Sequence, residues 1–157
     1  MHVYTGKLTY NDYELPAEFT ELVGASKEKH STTFVYDENE NRITHLNYDG
    51  SENDQVAYTY DDLGRIASRT VKINGQPITT TYTYVPGGYG QNSTTGLIQT
   101  ITQNGVTLTY EYDENGNIEY VKQGNNELVT GYVYDAIGQL IRVKDKTDPT
   151  GGTGGTT

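Results

Sequence analysis

The chain alternates apolar and polar residues in short runs that close on an aromatic pair and restart after a polar turn. Val106-Thr107-Leu108-Thr109-Tyr110-Glu111-Tyr112 and Ile78-Thr79-Thr80-Thr81-Tyr82-Thr83-Tyr84 are two such runs. In an extended strand this spacing puts Tyr110 and Tyr112 on one face. The residues that follow, Asp113-Glu114-Asn115-Gly116, suit a type I turn closed by a bulge residue at positive φ. An Asp side chain accepts from the turn N–H groups, and glycine has no Cβ to obstruct that backbone. Alternation on both sides of such a turn predicts a β-hairpin with Tyr112 opposite Ile118 and Tyr110 opposite Tyr120. The same register pairs Tyr60 with Ile66 and Tyr134 with Leu140. One face of each hairpin is then apolar, and the other carries Thr, Glu, Lys and Arg.

The phrase recurs as FVYDENENRI, YTYDDLGRI, YTYVPGGYG, YEYDENGNI and YVYDAIGQL, whose second aromatics are Tyr36, Tyr60, Tyr84, Tyr112 and Tyr134. They stand 24, 24, 28 and 22 residues apart, a period that marks a repeat architecture. The positions that define the repeat, all structural in this reading, are Tyr36 and Asp37; Tyr58, Tyr60, Asp61 and Gly64; Tyr82 and Tyr84; Tyr110, Tyr112, Asp113 and Gly116; and Tyr132, Tyr134, Asp135 and Gly138. In the Tyr36 copy the turn is one residue longer, and Asn41 is expected in the left-handed conformation that glycine takes elsewhere. The Tyr84 copy replaces Asp with Val85 and runs through Pro86-Gly87-Gly88 towards Gly96, so 85–96 reads as an inserted loop and a candidate functional tip. Further turns at Asn74-Gly75, Asn104-Gly105 and Gly124-Asn125-Asn126 return the chain for the next strand. The expected fold is all-β, a series of antiparallel hairpins joined edge to edge in one long twisted sheet.

The two ends depart from the pattern. Residues 1–31 form an atypical N-terminal repeat in which Tyr4, Leu8 and Tyr10 alternate like a strand. Pro16 to Gly24 is compatible with a short helix showing Phe19, Leu22 and Val23 on one face, with Pro at its start and Gly at its end. Residues 32–145 make up the repeat sheet, and 146–157 form a Gly- and Thr-rich linker.

Composition changes this picture in one respect and removes several functions. Of 157 residues only 33% are hydrophobic, yet there are 15 tyrosines, 2 phenylalanines and no tryptophan. An apolar face made of phenols needs a partner for each hydroxyl, which favours a thin sheet over a ball. A net charge of −10 makes nucleic acid and anionic membrane poor partners. No run approaches the ~18 apolar residues of a spanning helix, so no membrane insertion is expected. There is no cysteine, hence no disulfide and no thiolate metal site.

Candidate chemistry is sparse. His2, His30 and His45 lie among Thr and Lys without metal-ligand spacing or a nucleophile phrase. Asp61-Asp62 would suggest a glycosidase acid–base pair only if a cleft held the two carboxyls a set distance apart, and a repeated carboxylate more simply caps a turn. Asp37 to Asn41 has oxygen ligands at alternate positions, but Arg42 and Tyr48 stand where a calcium loop requires glycine and a bidentate glutamate. Asp49 to Asp54 is read as a turn in the same way. No catalytic residue, metal site or cofactor is expected. Asn92-Ser93-Thr94 is a glycosylation sequon, informative only in a eukaryotic secretory pathway. The tyrosine stripe also has the chemistry of a carbohydrate-stacking platform, although cross-strand packing explains it more simply.

YTYDDLGRI, and nearly YEYDENGNI and YVYDAIGQL, resemble the YD repeat of the Rhs family, which includes bacterial Rhs toxins, wall-associated proteins, insecticidal toxin complex components and teneurins. The resemblance spans roughly residues 32–145. It implies a β-sheet that forms the shell wall of a larger secreted or cell-surface bacterial protein, either enclosing a toxin cargo or adhesive, with no catalysis of its own. Asp148-Pro149-Thr150-Gly151 matches the family's self-cleaving segment only superficially, and no cleavage is expected from it. The expected partners are neighbouring repeats of a parent chain, or another copy, meeting at exposed sheet edges. The alternative function is a carbohydrate- or protein-binding module that uses exposed tyrosines or the 85–96 loop.

Overall fold

The computed structural model describes residues 5–39, 41–88 and 94–146. Twelve strands follow one another antiparallel in a single sheet, in the order of the sequence. They are β1 (Thr5–Tyr10), β2 (Pro16–Val23), β3 (Glu28–Tyr36), β4 (Ile43–Tyr48), β5 (Ser51–Tyr60), β6 (Ile66–Ile73), β7 (Gln76–Pro86), β8 (Thr94–Gln103), β9 (Val106–Tyr112), β10 (Ile118–Gln123), β11 (Glu127–Tyr134) and β12 (Leu140–Asp145). Two compact units divide the chain, Met1–Thr79 and Thr80–Thr157.

The expected helix over 16–24 is absent: Pro16–Val23 is strand β2, paired with β1 on one side and β3 on the other. Pro16 stands at the start of a strand, where a missing N–H is tolerated. Gly24, at φ +74°, serves the turn into β3 rather than a helix end.

In the first unit, the turn between β1 and β2 repeats the construction seen at the later motifs. Asn11 N–H donates to Leu15 O at 2.9 Å and Glu14 N–H to Asn11 O at 3.0 Å, while Glu14 takes φ +60°. Tyr10-Asn11-Asp12-Tyr13-Glu14-Leu15-Pro16 is thus a sixth copy in which Asn replaces Asp and Glu replaces Gly. On β5, Val56 is only 5% exposed. In the second unit, Thr80 of β7 is 8% exposed. These two are the only well-buried side chains among the described residues, because a single layer of sheet has no interior. The loop expected over 85–96 is shorter than the sequence suggests: β7 continues to Pro86, which pairs with Thr94 at the start of β8. Residues 1–4 with His2 and Tyr4, Glu40, residues 89–93 of the expected insertion, and 147–157 of the linker expected over 146–157 lie outside the described residues.

The Asn-Gly turns form as their sequences require. Asn74 and Gly75 take φ +50° and +77°, and Asn104 and Gly105 the same values, the two consecutive positive φ angles of a type I′ turn.

Candidate functional site at the repeat joints

The motif residues do not converge on one spot. The structure distributes them one set per hairpin, and the sets at Tyr36, Tyr60, Tyr112 and Tyr134 build the same joint, whereas the Tyr84 set, with Val85 in place of Asp, has no Asp-capped turn. At Asp61, the side-chain Oδ1 accepts from Leu63 N–H at 3.0 Å and Arg65 N–H at 2.9 Å, and Oδ2 accepts from Arg65 Nε at 2.8 Å. Gly64 N–H closes the turn on Asp61 O at 2.9 Å, with Gly64 at φ +78°. Asp113 takes Asn115 and Asn117 N–H on Oδ1, both at 2.9 Å, and Asn117 Nδ2 on Oδ2. Asp135 takes Ile137 and Gln139 N–H at 3.0 and 2.9 Å. Gly116 and Gly138 sit at φ +83° and +81°. Asp37 accepts from Arg42 Nε at 3.1 Å, and Asn41 occupies the left-handed position at φ +54°. Hydrogen bonds to the ionised form hold two of these carboxyls below their ordinary pKa. The leading cause is Arg65 at Asp61 and the Asn117 side chain at Asp113, and such a carboxylate resists protonation.

The tyrosine before each Asp reaches across to the neighbouring strand. Tyr36 Oη donates to Pro16 O at 2.9 Å, Tyr60 Oη to Ile43 O at 2.6 Å, Tyr112 Oη to Ile98 O at 2.7 Å and Tyr134 Oη to Ile118 O at 3.0 Å. Each acceptor is the residue at which the preceding motif's hairpin returns: Pro16 lies opposite Tyr10, Ile43 opposite Tyr36, Ile98 opposite Tyr84 and Ile118 opposite Tyr112. One motif's hydroxyl therefore ties it to the hairpin before it, and the phenol satisfies its polar end while its ring packs. Burial raises the pKa of Tyr60 and Tyr112. Arg42, ion-paired to Asp37, lies with its guanidinium carbon 4.6 Å from the centre of the Tyr60 ring.

Register departs from the simplest hairpin beside the motif tyrosine in every motif, once in each of the others and twice in the Tyr84 motif. Tyr60 faces Ile66 and Tyr134 faces Leu140, but the next pairs are Thr59 with Ser68 and Val133 with Arg142, leaving Ala67 and Ile141 as bulge residues. The bulge corrects the expected Tyr110–Tyr120 pair. Tyr110 lies opposite Val121, and Tyr120 lies opposite Glu111 with Glu119 as the extra residue. Tyr120 accordingly joins the polar face beside Lys122, whose Nζ is 5.5 Å from its ring centre and 2.6 Å from Glu111 Oε1. The preceding aromatics Tyr58, Tyr82 and Tyr132 face Arg69, Ile101 and Val143.

The polar face carries a feature that motif reading passed over, a set of cross-strand hydroxyl pairs. In the first unit these are Thr59 with Ser68 at 2.7 Å and Thr70 with Thr79 at 2.9 Å. In the second they are Thr83 with Thr100 at 2.7 Å and Thr102 with Thr107 at 2.8 Å. Thr–Thr and Thr–Ser pairs of this kind add to strand pairing. His30 and Asp49 also meet, at 2.9 Å, in a recess with Phe19, Ser31 and Tyr48. Asp49 additionally accepts from Ser31 N–H at 2.6 Å, so this carboxylate staples the β4–β5 turn to β3. Chemically, among the described residues, these groups join strands and cap turns.

No family model matches the chain. It is 32% identical to human teneurin-4 over 87 residues, which is 55% of this chain and 3% of that protein, and equally similar to mouse teneurin-4. Zebrafish (Danio rerio) teneurin-3 is 31% identical over 91 residues, again 3% of its length. The chain thus spans only a few hundredths of the curated relatives it matches. Among solved structures, that of TcdB2-TccC3 without its hypervariable C-terminal region superposes with a TM-score of 0.66 over 92% of this chain and 8% of that one, at 14% identity. The chain is related to the Rhs/YD-repeat proteins, and its fold is theirs.

Proposed function

Proceeding from that relationship, we propose that the chain is a structural wall segment of a larger secreted or surface-exposed Rhs/YD-repeat protein and performs no catalysis. Its motif residues serve as joints, residues 32–145 form the wall, and the Gly/Thr-rich stretch from 146 is a connector. The observation that carries this reading is the recurrence of one joint. The same Asp-capped turn and the same tyrosine-to-carbonyl bond appear at Tyr36, Tyr60, Tyr112 and Tyr134. A reactive site gains from being unique, whereas a device that joins strands gains from repetition.

Titration of the folded chain with a panel of oligosaccharides, followed by tyrosine fluorescence and calorimetry, tests the proposal. A wall segment gives no saturable signal. Saturable binding that shifts tyrosine emission would instead make the chain a glycan-binding module built on its aromatic face.

A further inference from the structure

The joints obey one register as well as one bond. Where a motif strand adds to the hairpin before it, the residue three before the motif tyrosine pairs with the residue two past the acceptor. Thr33 pairs with Glu18, Ala57 with His45, Thr109 with Thr100 and Gly131 with Tyr120. Leu140 occupies the acceptor position of the last described motif, opposite Tyr134. Among the described residues no tyrosine hydroxyl reaches its carbonyl. At the other edge, Tyr10 is a motif tyrosine, 61% exposed, whose hydroxyl donates to nothing among the described residues.

Applied to the outer edge of β12, the register places an incoming strand's tyrosine hydroxyl on Leu140 O and its third-preceding residue opposite Arg142. Arg142 is exposed, and neither it nor Lys144, two residues along on the same face, takes part in an ion pair among the described residues. If the incoming strand were β1 of a second copy, Lys7 would stand opposite Arg142. Like charges directly opposed across strands are destabilising, and opposite charges stabilising. A sheet edge that must not pair with its own kind is protected in this way, often by lysine.

We propose that the outer edge of β12 is a docking edge for an antiparallel strand that ends in tyrosine and carries a carboxylate three residues earlier, and that Lys7 bars the chain's own β1 from that place. This rests on the wall-segment reading and adds to it which strand the wall accepts.

Charge exchange on the intact chain tests it, with the Lys7→Glu copy itself supplying the strand of the stated chemistry. Sedimentation equilibrium over a concentration series is run on the wild type, Lys7→Glu, Arg142→Glu and the double variant, with circular dichroism confirming that each is folded. Lys7→Glu and Arg142→Glu each associate head to tail about tenfold more tightly than the wild type, and added salt weakens both. The double variant, with Glu opposite Glu, falls back to the wild-type level. Adding Tyr10→Phe to Lys7→Glu weakens association severalfold through loss of the bond to Leu140 O. Equal masses for the wild type and Lys7→Glu, or a double variant that associates as strongly as the single ones, overturn the proposal. Either result leaves the wall-segment reading intact, since that stands or falls on oligosaccharide binding.

Discussion

Replacing Tyr60 by phenylalanine removes one oxygen and little else. The ring stays under the Arg42 guanidinium, 4.6 Å from its centre, and that contact depends on the ring face rather than the hydroxyl. What is lost is the 2.6 Å bond to Ile43 O, the shortest of the joint bonds. A net hydrogen bond contributes ~0.5–1.5 kcal/mol. The abandoned carbonyl lies in a part-buried setting where water replaces the hydroxyl incompletely, so the expected cost is about 1 kcal/mol. If Met1–Thr79 melts as its own unit, that lowers Tm by roughly 4–8 °C, and by about half as much if the chain melts as one. Urea unfolding followed by far-ultraviolet circular dichroism should show a lower midpoint with an unchanged slope. Tyr10→Phe is the control: its ring is 61% exposed and its hydroxyl makes no bond among the described residues, so its effect stays within about 0.5 kcal/mol. Equal effects for Tyr60→Phe and Tyr10→Phe would refute the role given to the tyrosine bond.

Further outcomes follow from the same geometry. Asp61 and Asp113 have folded pKa values below their ordinary ones, so the stability they add is present above the unfolded carboxyl value of ~3.9 and is lost as pH falls through the folded values. Replacing both by Asn should flatten the acid limb of a stability-versus-pH curve. His30 is raised, chiefly by its hydrogen bond with Asp49, so its contribution is complete below the unfolded value of ~6.5 and disappears as pH rises through the folded value. Proton NMR titration should find His30 above the ordinary value, and Asp49→Asn should return it towards that value. Gly116→Ala meets no atom within 4 Å, but it forces a Cβ onto φ +83°, costing ~1–2 kcal/mol in urea unfolding. Gly131→Ala has ordinary φ but places its Cβ 3.2 Å from the Tyr120 ring, and the crowding should cost ~1 kcal/mol or more by the same assay.

Much of the sheet was legible because hairpin chemistry is local. Tyr60 with Ile66, Tyr112 with Ile118, Tyr134 with Leu140, and the left-handed Asn41 follow from turn length and residue type alone. The bulge at Glu119 was not legible. It depends on how the returning strand meets its neighbour, and it moved Tyr120 to the polar face. Pro16 and Gly24 punctuate a strand here, although the same residues at the same spacing bound helices elsewhere; pairing of β2 with β1 and β3 on both sides decided the matter. The first joint was hidden because Asn11 and Glu14 replace the Asp and Gly of the later motifs. The signal was present in the spacing, since Tyr10 stands 26 residues before Tyr36. The tyrosine acceptors were beyond the sequence, since nothing in the residue types says that a phenol will bond a backbone carbonyl of the hairpin before it.

The claim that one joint is used repeatedly is tested most directly by amide hydrogen exchange, resolved by residue. Asp37, Asp61, Asp113 and Asp135 each donate a backbone N–H across the turn, to Arg42, Arg65, Asn117 and Gln139 O at 2.8–2.9 Å. If the joints are equivalent, these amides exchange slowly and with similar protection. Protection at one turn, with exchange at the other three as fast as in an unstructured chain, would contradict the account and point to a single privileged site.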